Sequence, residues 1–250
     1  NWSRPCAWPW QTAPTMFERP HHQRIAHVLL SLNGPLLLAH HCLFGGGTAM
    51  ALRYGEYRES VDIDFLVSDI TSYRALRQLL TSTQGVAAIT RPGVEPLQPT
   101  REVRADQYGL RTALQVAGQP IKFEIVLEGR IALADPSADG TICGIATLTP
   151  LDMATSKLLA NSDRCMDDGV FSRDLIDLAM MAPPLPLLHQ AVVKAEQAYG
   201  ASVCHDLDKA IARMRERQGR LERCMKALDM NMPRALLWQK IRALRRVLPS

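Results

Sequence analysis

The sequence predicts an α/β protein, more narrowly α+β, in which a small mixed-sheet core is followed by a helical C-terminal part. Three observations carry this. Residues 44–66 read FGGGTAMALRYGEYRESVDIDFL: a glycine turn, a short helix-like run, then strand-like alternation. Ile121, Phe123 and Ile125 alternate with Lys122 and Glu124, the period of a half-buried strand. From Thr149-Pro150 onward helical spacing dominates, opened by a hydroxyl N-cap with proline in the first turn. The boundary falls near residue 148. It divides the chain into an irregular arm over 1–20, a core over 21–148 and a helical domain over 149–250.

The elements follow in order. Residues 1–20 hold Trp2, Trp8, Trp10 and several prolines without periodicity; Met16 opens a more regular sequence, so residues 1–15 read as an added extension. Ile25, Val28, Leu29 and Leu32 at helical spacing predict a helix over 21–32, ended by Asn33-Gly34. The apolar run over 38–44 should finish as the first strand. A short helix over 48–54 is closed by Gly55, and a second strand covers 60–67. Tyr73, Leu76, Leu79 and Leu80 share one helical face over 71–81. Residues 85–100 are rich in proline and glycine and read as loop. Strands are expected over 101–117 and 120–127, with short ones near 131–134 and 142–147. Helices follow at about 150–161, 172–182, 186–199, 203–228 and 233–247.

Composition narrows the function classes. Apolar residues make up 47% and charged residues 22%, the balance of a soluble globular protein with a full core. No apolar run reaches the length of a membrane span, and the first twenty residues lack the layout of a secretory signal, so a cytoplasmic protein is expected. The six cysteines form no CxxC pair. They are expected to be reduced, and zinc is not. The formal net charge of +4 is unevenly placed: residues 201–250 carry +7 and the other 200 carry −3. A basic C-terminal end suits either a polyanion such as RNA or a solvated helix surface.

The chemistry concentrates at the glycine turn. Gly45, Gly46 and Gly47 open a helix whose free N–H groups suit an anion, with Gly46, Gly47 and Thr48 as the phosphate-binding loop and Thr48 able to donate its hydroxyl. This is neither a Walker loop nor a dinucleotide fingerprint, since no Gly-Lys-Ser/Thr follows and Met50 occupies the last glycine's place. Asp62 and Asp64 stand at strand spacing and so face the same way. Two parallel carboxylates beside a phosphate cradle suit one or two Mg²⁺ ions carrying a nucleotide. Arg58 and Ser60 precede the pair and are placed to orient it. His40, His41 and Cys42 look like metal ligands, but adjacent strand residues point opposite ways, so core packing is expected.

The stretch resembles the opening motif of the DNA polymerase β-like nucleotidyltransferase superfamily: glycine, a hydroxyl residue, then Asp-x-Asp, here with Thr48 where serine is commoner. Its wording over 44–67, and again over 148–178, is most similar to the AbiEii-type nucleotidyltransferase toxins of toxin–antitoxin and phage-defence systems. The resemblance implies a third carboxylate on a later strand beside the aspartate pair, for metal or for activating the attacking hydroxyl. Glu124 matches that place. It also implies a nucleotide-gripping lysine and a supporting acid, matched by Lys157 and Asp174. Asp177 shares the helix face of Asp174. Arg164 and Arg173 are placed either to pair with these acids or to contact phosphate.

The expected activity is therefore Mg²⁺-dependent transfer of a nucleoside monophosphate from a nucleoside triphosphate to a hydroxyl, on a tRNA 3′ end or a protein, by a toxin with a cognate antitoxin. An aminoglycoside nucleotidyltransferase and a non-catalytic nucleotide-binding module stand as alternatives.

Overall fold

The computed structural model describes residues 16–248. Most of the expected N-terminal arm, residues 1–15, lies outside the described residues. The chain then enters α1 (Pro20–Ser31), which buries Ile25, Val28 and Leu29 completely. The apolar run over 38–44 does finish as the first strand, but it begins in the end of a helix that the sequence reading did not place. Asn33 caps α2 (Gly34–Ala39) by accepting from the Leu36 N–H, and Pro35 sits at the helix start. A side-chain cap and a preset φ together start this short helix straight after the Asn33-Gly34 stop of α1. Only Leu43–Gly45 remain as β1. His40 and His41 accordingly lie in the turn after α2 rather than on a strand, and of the His-His-Cys run only Cys42 enters the core.

The next helix, α3 (Gly46–Arg53), begins two residues earlier than expected, so that two of the three glycines form its first turn. β2 (Ile63–Val67) is shorter than its expected range and starts after Asp62. Asp69 caps α4 (Ile70–Leu80) by accepting from the Ser72 N–H. The proline-rich segment holds a 3₁₀ turn, Gly85–Ile89, and the two-residue β3 (Gln98–Pro99). The expected strand over 101–117 is split into β4 (Arg104–Ala105) and β5 (Gly109–Val116). The cause is Asp106, whose carboxylate accepts from the N–H groups of Tyr108 and Gly109 and makes a local turn in place of ladder bonds. β5 returns as β6 (Gln119–Leu127) through Ala117-Gly118, both at positive φ, the geometry of a tight two-residue hairpin.

No strand forms over 131–134. Over 142–147 the single expected strand is a hairpin, β7 (Thr141–Ile142) and β8 (Ile145–Ala146), turning at Cys143-Gly144 with positive φ at both. The helical part comprises α5 (Pro150–Arg164), capped by Thr149, then α6 (Arg173–Met181), α7 (Leu185–Tyr199), α8 (Ser202–Glu216), α9 (Arg220–Ala227) and α10 (Arg234–Ala243). The long helix expected over 203–228 breaks between α8 and α9, where Gly219 adopts φ +70. The last helix passes into a 3₁₀ turn at Leu244–Val247.

The main sheet runs β1-β2-β6-β5-β3, with β4 also paired to β5. β2 and β6 are parallel and the other pairs antiparallel, so the sheet is mixed as expected. Phe44, Phe65 and Phe123 stack across three adjacent strands, with successive ring centroids 5.6 Å apart. This row faces the core, so Asp64 and Glu124 in between face the other way. Buried apolar side chains from the sheet and from the helical part form one connected cluster. Chain continuity reinforces this: the Leu148 N–H donates to the Phe44 carbonyl at 3.1 Å, which places the start of the helical part against the glycine turn.

The central ring of the row, Phe65, is fully buried. Phe65→Ala is expected to cost about 3–5 kcal/mol of stability, read from urea denaturation midpoints at unchanged denaturant slope.

Candidate active site

The glycine turn is built by close approach. At Gly46, where φ is +67, an added Cβ would lie 2.5 Å from Asp64 Oδ2. At Gly47 it would lie 2.3 Å from an Arg58 guanidinium nitrogen. Each position therefore excludes a side chain for a different reason: one lets a carboxylate lie against the helix start, the other lets a buried cation lie beneath it. The first N–H groups of α3 are thereby left facing the same cleft as the carboxylates.

That cleft, about 270 Å³, is lined by Gly46, Gly47, Asp62, Asp64, Glu124, Lys157 and Asp174. The register explains part of this. Asp64 lies opposite Gly45 on β1 and opposite Glu124 on the parallel β6. Thr48 is the exception among the candidates. It is buried, its hydroxyl bonds to Ser60 Oγ at 2.8 Å and it donates to the Asp62 carbonyl, so it braces the segment leading to Asp62 from behind.

Among the described residues, neither the Asp62 nor the Asp64 carboxylate has a hydrogen-bond or ion-pair partner. Burial pushes the Asp64 carboxyl up to about 6, and the charges of Asp62 and Glu124 push in the same direction. Two uncompensated hard-oxygen donors of this kind fit a divalent cation. No group of three or more His, Cys, Asp or Glu side chains among the described residues is arranged to hold a metal by itself. Glu124 turns its carboxylate to Arg111 Nε at 3.0 Å and Lys122 Nζ at 2.8 Å. A cation on the aspartate pair would therefore take further oxygens from phosphate or water, the arrangement that Mg²⁺ favours.

Behind the cleft lies a buried ionic ladder. Lys157 Nζ sits 3.1 Å from Asp174 and 2.6 Å from Asp177. Arg58 grips both oxygens of Asp177, at 2.6 and 2.9 Å, and Tyr57 donates its hydroxyl to the same carboxylate at 2.7 Å. Arg164 holds Asp174 at 2.6 and 2.9 Å. Burial works against the charge on both acids, yet Lys157 and Arg164 hold Asp174, and Arg58 and Lys157 hold Asp177, below the usual carboxylate range. Three cations face two anions, so the ladder keeps a surplus positive charge beside the cleft. Lys157 acts on Asp64 through that charge, lowering its pKa against the larger upward push. Arg173, at the start of α6, also lines the cleft and has no ion-pair or hydrogen-bond partner among the described residues.

A profile of the AbiEii nucleotidyl transferase toxins, of a type IV toxin–antitoxin system, matches residues 29–246. The chain belongs to the AbiEii nucleotidyltransferase toxin family. The match runs from α1 to the last helical turn, so the sheet and the helices of this AbiEii-family protein both belong to the family pattern. Its fold is similar to two solved structures from Helicobacter pylori. One, JHP933, aligns with a TM-score of 0.53 at 17% identity over 93% of this chain and 94% of that one. The other, described as a proposed nucleotidyltransferase, aligns with a TM-score of 0.50 at 18% identity over 91% and 94%. At such identity the likeness concerns the fold. No curated protein matches the sequence.

Arg111, Lys122, Glu128 and Arg130 also belong to the site's surroundings and were not among the sequence candidates: Lys122, Glu128 and Arg130 line the cleft, and Arg111 pairs with Glu124. A usable signal existed for Arg111. A two-residue turn at Ala117-Gly118 places Arg111 directly opposite Glu124 by counting back from the turn.

Because the ladder acids sit below the ordinary carboxylate value of about 4, the stability they contribute is complete above that pH and lost as pH falls through their lowered values. Thermal unfolding followed from about pH 7 to about pH 2 should show wild type losing stability below about pH 4. Asp177→Asn, which leaves Arg58 buried with a neutral partner, should cost about 3–5 kcal/mol near neutrality and show a shallower loss in acid.

Proposed function

We propose that this protein is a Mg²⁺-dependent nucleotidyltransferase that moves a nucleoside monophosphate from a nucleoside triphosphate to a macromolecular hydroxyl, and that this transfer is its toxic act. The observation that carries the proposal is the pair Asp62 and Asp64 on one cleft, neither carboxylate partnered among the described residues, with Asp64 lying against the N-terminus of α3. Bound at Asp62 and Asp64 and completed by phosphate or water oxygens, Mg²⁺ would neutralise the triphosphate and favour charge build-up on the leaving pyrophosphate. The N–H groups of Gly46 and Gly47 bind a phosphate oxygen. The unpartnered guanidinium of Arg173, with the surplus charge of the ladder behind it, draws the polyphosphate into the cleft. The acceptor oxygen bonds to the α-phosphorus as the α–β anhydride bond breaks, and its proton passes to a carboxylate, Glu124 or Asp64. To take that proton Glu124 gives up its pairing with Lys122 and Arg111, whose side chains are 47% and 35% exposed.

Six cationic and five acidic side chains line the cleft, and with Asp62 and Asp64 given to a metal the cations Lys122, Arg130, Arg164 and Arg173 prevail, which favours a polyanion over an aminoglycoside acceptor. The basic C-terminal fifty residues favour RNA, and a tRNA 3′ end is the proposed acceptor. A cognate antitoxin restrains the activity in the cell, where we place the protein in the cytoplasm. Among the described residues no helix is long and apolar enough to cross a membrane.

Incubation of the protein with each α-labelled nucleoside triphosphate, Mg²⁺ and total tRNA should label the RNA. Asp62→Ala and Asp64→Ala should lower the rate by about 10³-fold or more while keeping the wild-type unfolding temperature, and chelation should stop the reaction. Absence of label in RNA and in protein, together with no nucleotide binding, would reject the proposal. Binding without transfer would favour a nucleotide-binding module.

A further inference from the structure

The backbone of Asp62 stands just outside the sheet. β2 begins at Ile63, whose partner on β6 is Phe123, and β1 reaches only as far as Asp64. No ladder bond therefore fixes the two residues that lead into Asp62. Two adjacent histidines of α1 reach them instead. His22 is fully buried, and its Nε2 accepts from the Ser60 N–H at 3.1 Å, while its Nδ1 lies 2.7 Å from a Glu56 carboxylate oxygen. Since a backbone N–H can only donate, His22 is neutral with its proton on Nδ1, donating to Glu56. His21 carries the opposite tautomer. Its Nε2 donates to the Val61 carbonyl at 3.1 Å, and its Nδ1 accepts from Arg24 at 2.9 Å.

Glu56 is in turn anchored. Its carboxylate accepts from the N–H groups of Glu18 and Arg19, at 2.8 and 3.1 Å, just before α1. Ser60 passes the constraint on through its hydroxyl to Thr48, and Thr48 holds the Asp62 carbonyl. The consecutive backbone groups before the aspartate are thus held from α1 on one side and from α3 on the other.

We infer that His21 and His22 are positioning residues that fix the segment Ser60–Val61 so that the Asp62 carboxylate stands ready beside Asp64 for the metal. The inference rests on the reading of Asp62 as a metal-binding residue. The histidines touch neither metal nor nucleotide; they act through the backbone. Partners of this outer kind are worth about 10–100-fold in metal affinity when removed.

The test compares full-length wild type, His22→Ala, His22→Gln and His21→Ala, with Val203→Ala in α8 as a control for simple destabilisation. Val203 is fully buried and remote in sequence from the site. Two quantities are read without turnover: Mn²⁺ affinity, by electron paramagnetic resonance, and hydrogen exchange of the amides from Ser60 to Ile63. His22→Ala should weaken Mn²⁺ binding by about tenfold and speed exchange at Ser60. His22→Gln, which keeps an acceptor near the Ser60 amide, should recover most of both. His21→Ala, at the surface and tolerant of folding, should weaken Mn²⁺ binding in the same direction. Val203→Ala should change neither quantity at an equal loss of unfolding temperature. Unchanged Mn²⁺ affinity in His22→Ala and His21→Ala, or an equal weakening in Val203→Ala, would overturn the inference. Should wild type bind no Mn²⁺, the metal reading itself fails and the inference fails with it, while exchange at Ser60 still reports whether the histidines fix the segment.

Discussion

The structure depends on how five charged side chains share a buried space. Arg58 comes from the segment before β2, Lys157 and Arg164 from α5, Asp174 and Asp177 from α6. Charges are expensive to bury and stay buried only when each finds a partner of opposite sign with good geometry. Here the bidentate Arg58–Asp177 contact and the shared Lys157 link meet that condition. The partners come from both parts of the chain, so the ladder can form only when the sheet and the helices are already docked. It converts a hydrophobic contact that would tolerate sliding into one with a fixed register.

That fixed register matters because the cleft is assembled across the same junction. The aspartate pair and the glycine turn belong to the sheet; Lys157, Arg164, Arg173 and Asp174 belong to the helices. A slip of an ångström between the two would separate the carboxylates from the cationic wall. The ladder also sets the field. Its one surplus positive charge lies behind two carboxylates that lack partners of their own, so the site holds opposed charges apart in a space that burial makes electrostatically strong. In the proposed reaction the free pair would take the metal and the cationic wall the polyanion, a reading that accords with membership of a nucleotidyltransferase toxin family.

Much of this was legible in the chain. Strand period two at Asp64–Phe65 and at Ile121–Ile125 gave the faces correctly, because side-chain alternation is a local consequence of backbone geometry; Asp62, expected in the same strand, lies just before it. Thr149-Pro150 marked the start of α5 for the same local reason. Failures occurred where a side chain bonded its own backbone. Asn33 capped a short helix, α2, that had not been anticipated, and Asp106 cut β5 from β4. Gly219 divided a helix whose apolar period continues across the break. Thr48 was legible as a hydroxyl beside the glycines, but not as one that faces inward to Ser60 and Asp62.

By itself the sequence determined that two carboxylates two residues apart follow a glycine-opened helix, since this depends on the spacing of a few residues along one chain. Only the tertiary structure decided which charges are spent on one another and which are left free. Lys157 and Asp174 proved to be partners, Glu124 faces Arg111 and Lys122, and Asp62 and Asp64 stand alone. Other pairings join segments more than a hundred residues apart, as Arg58 and Asp177 do, and no periodicity along the chain encodes those.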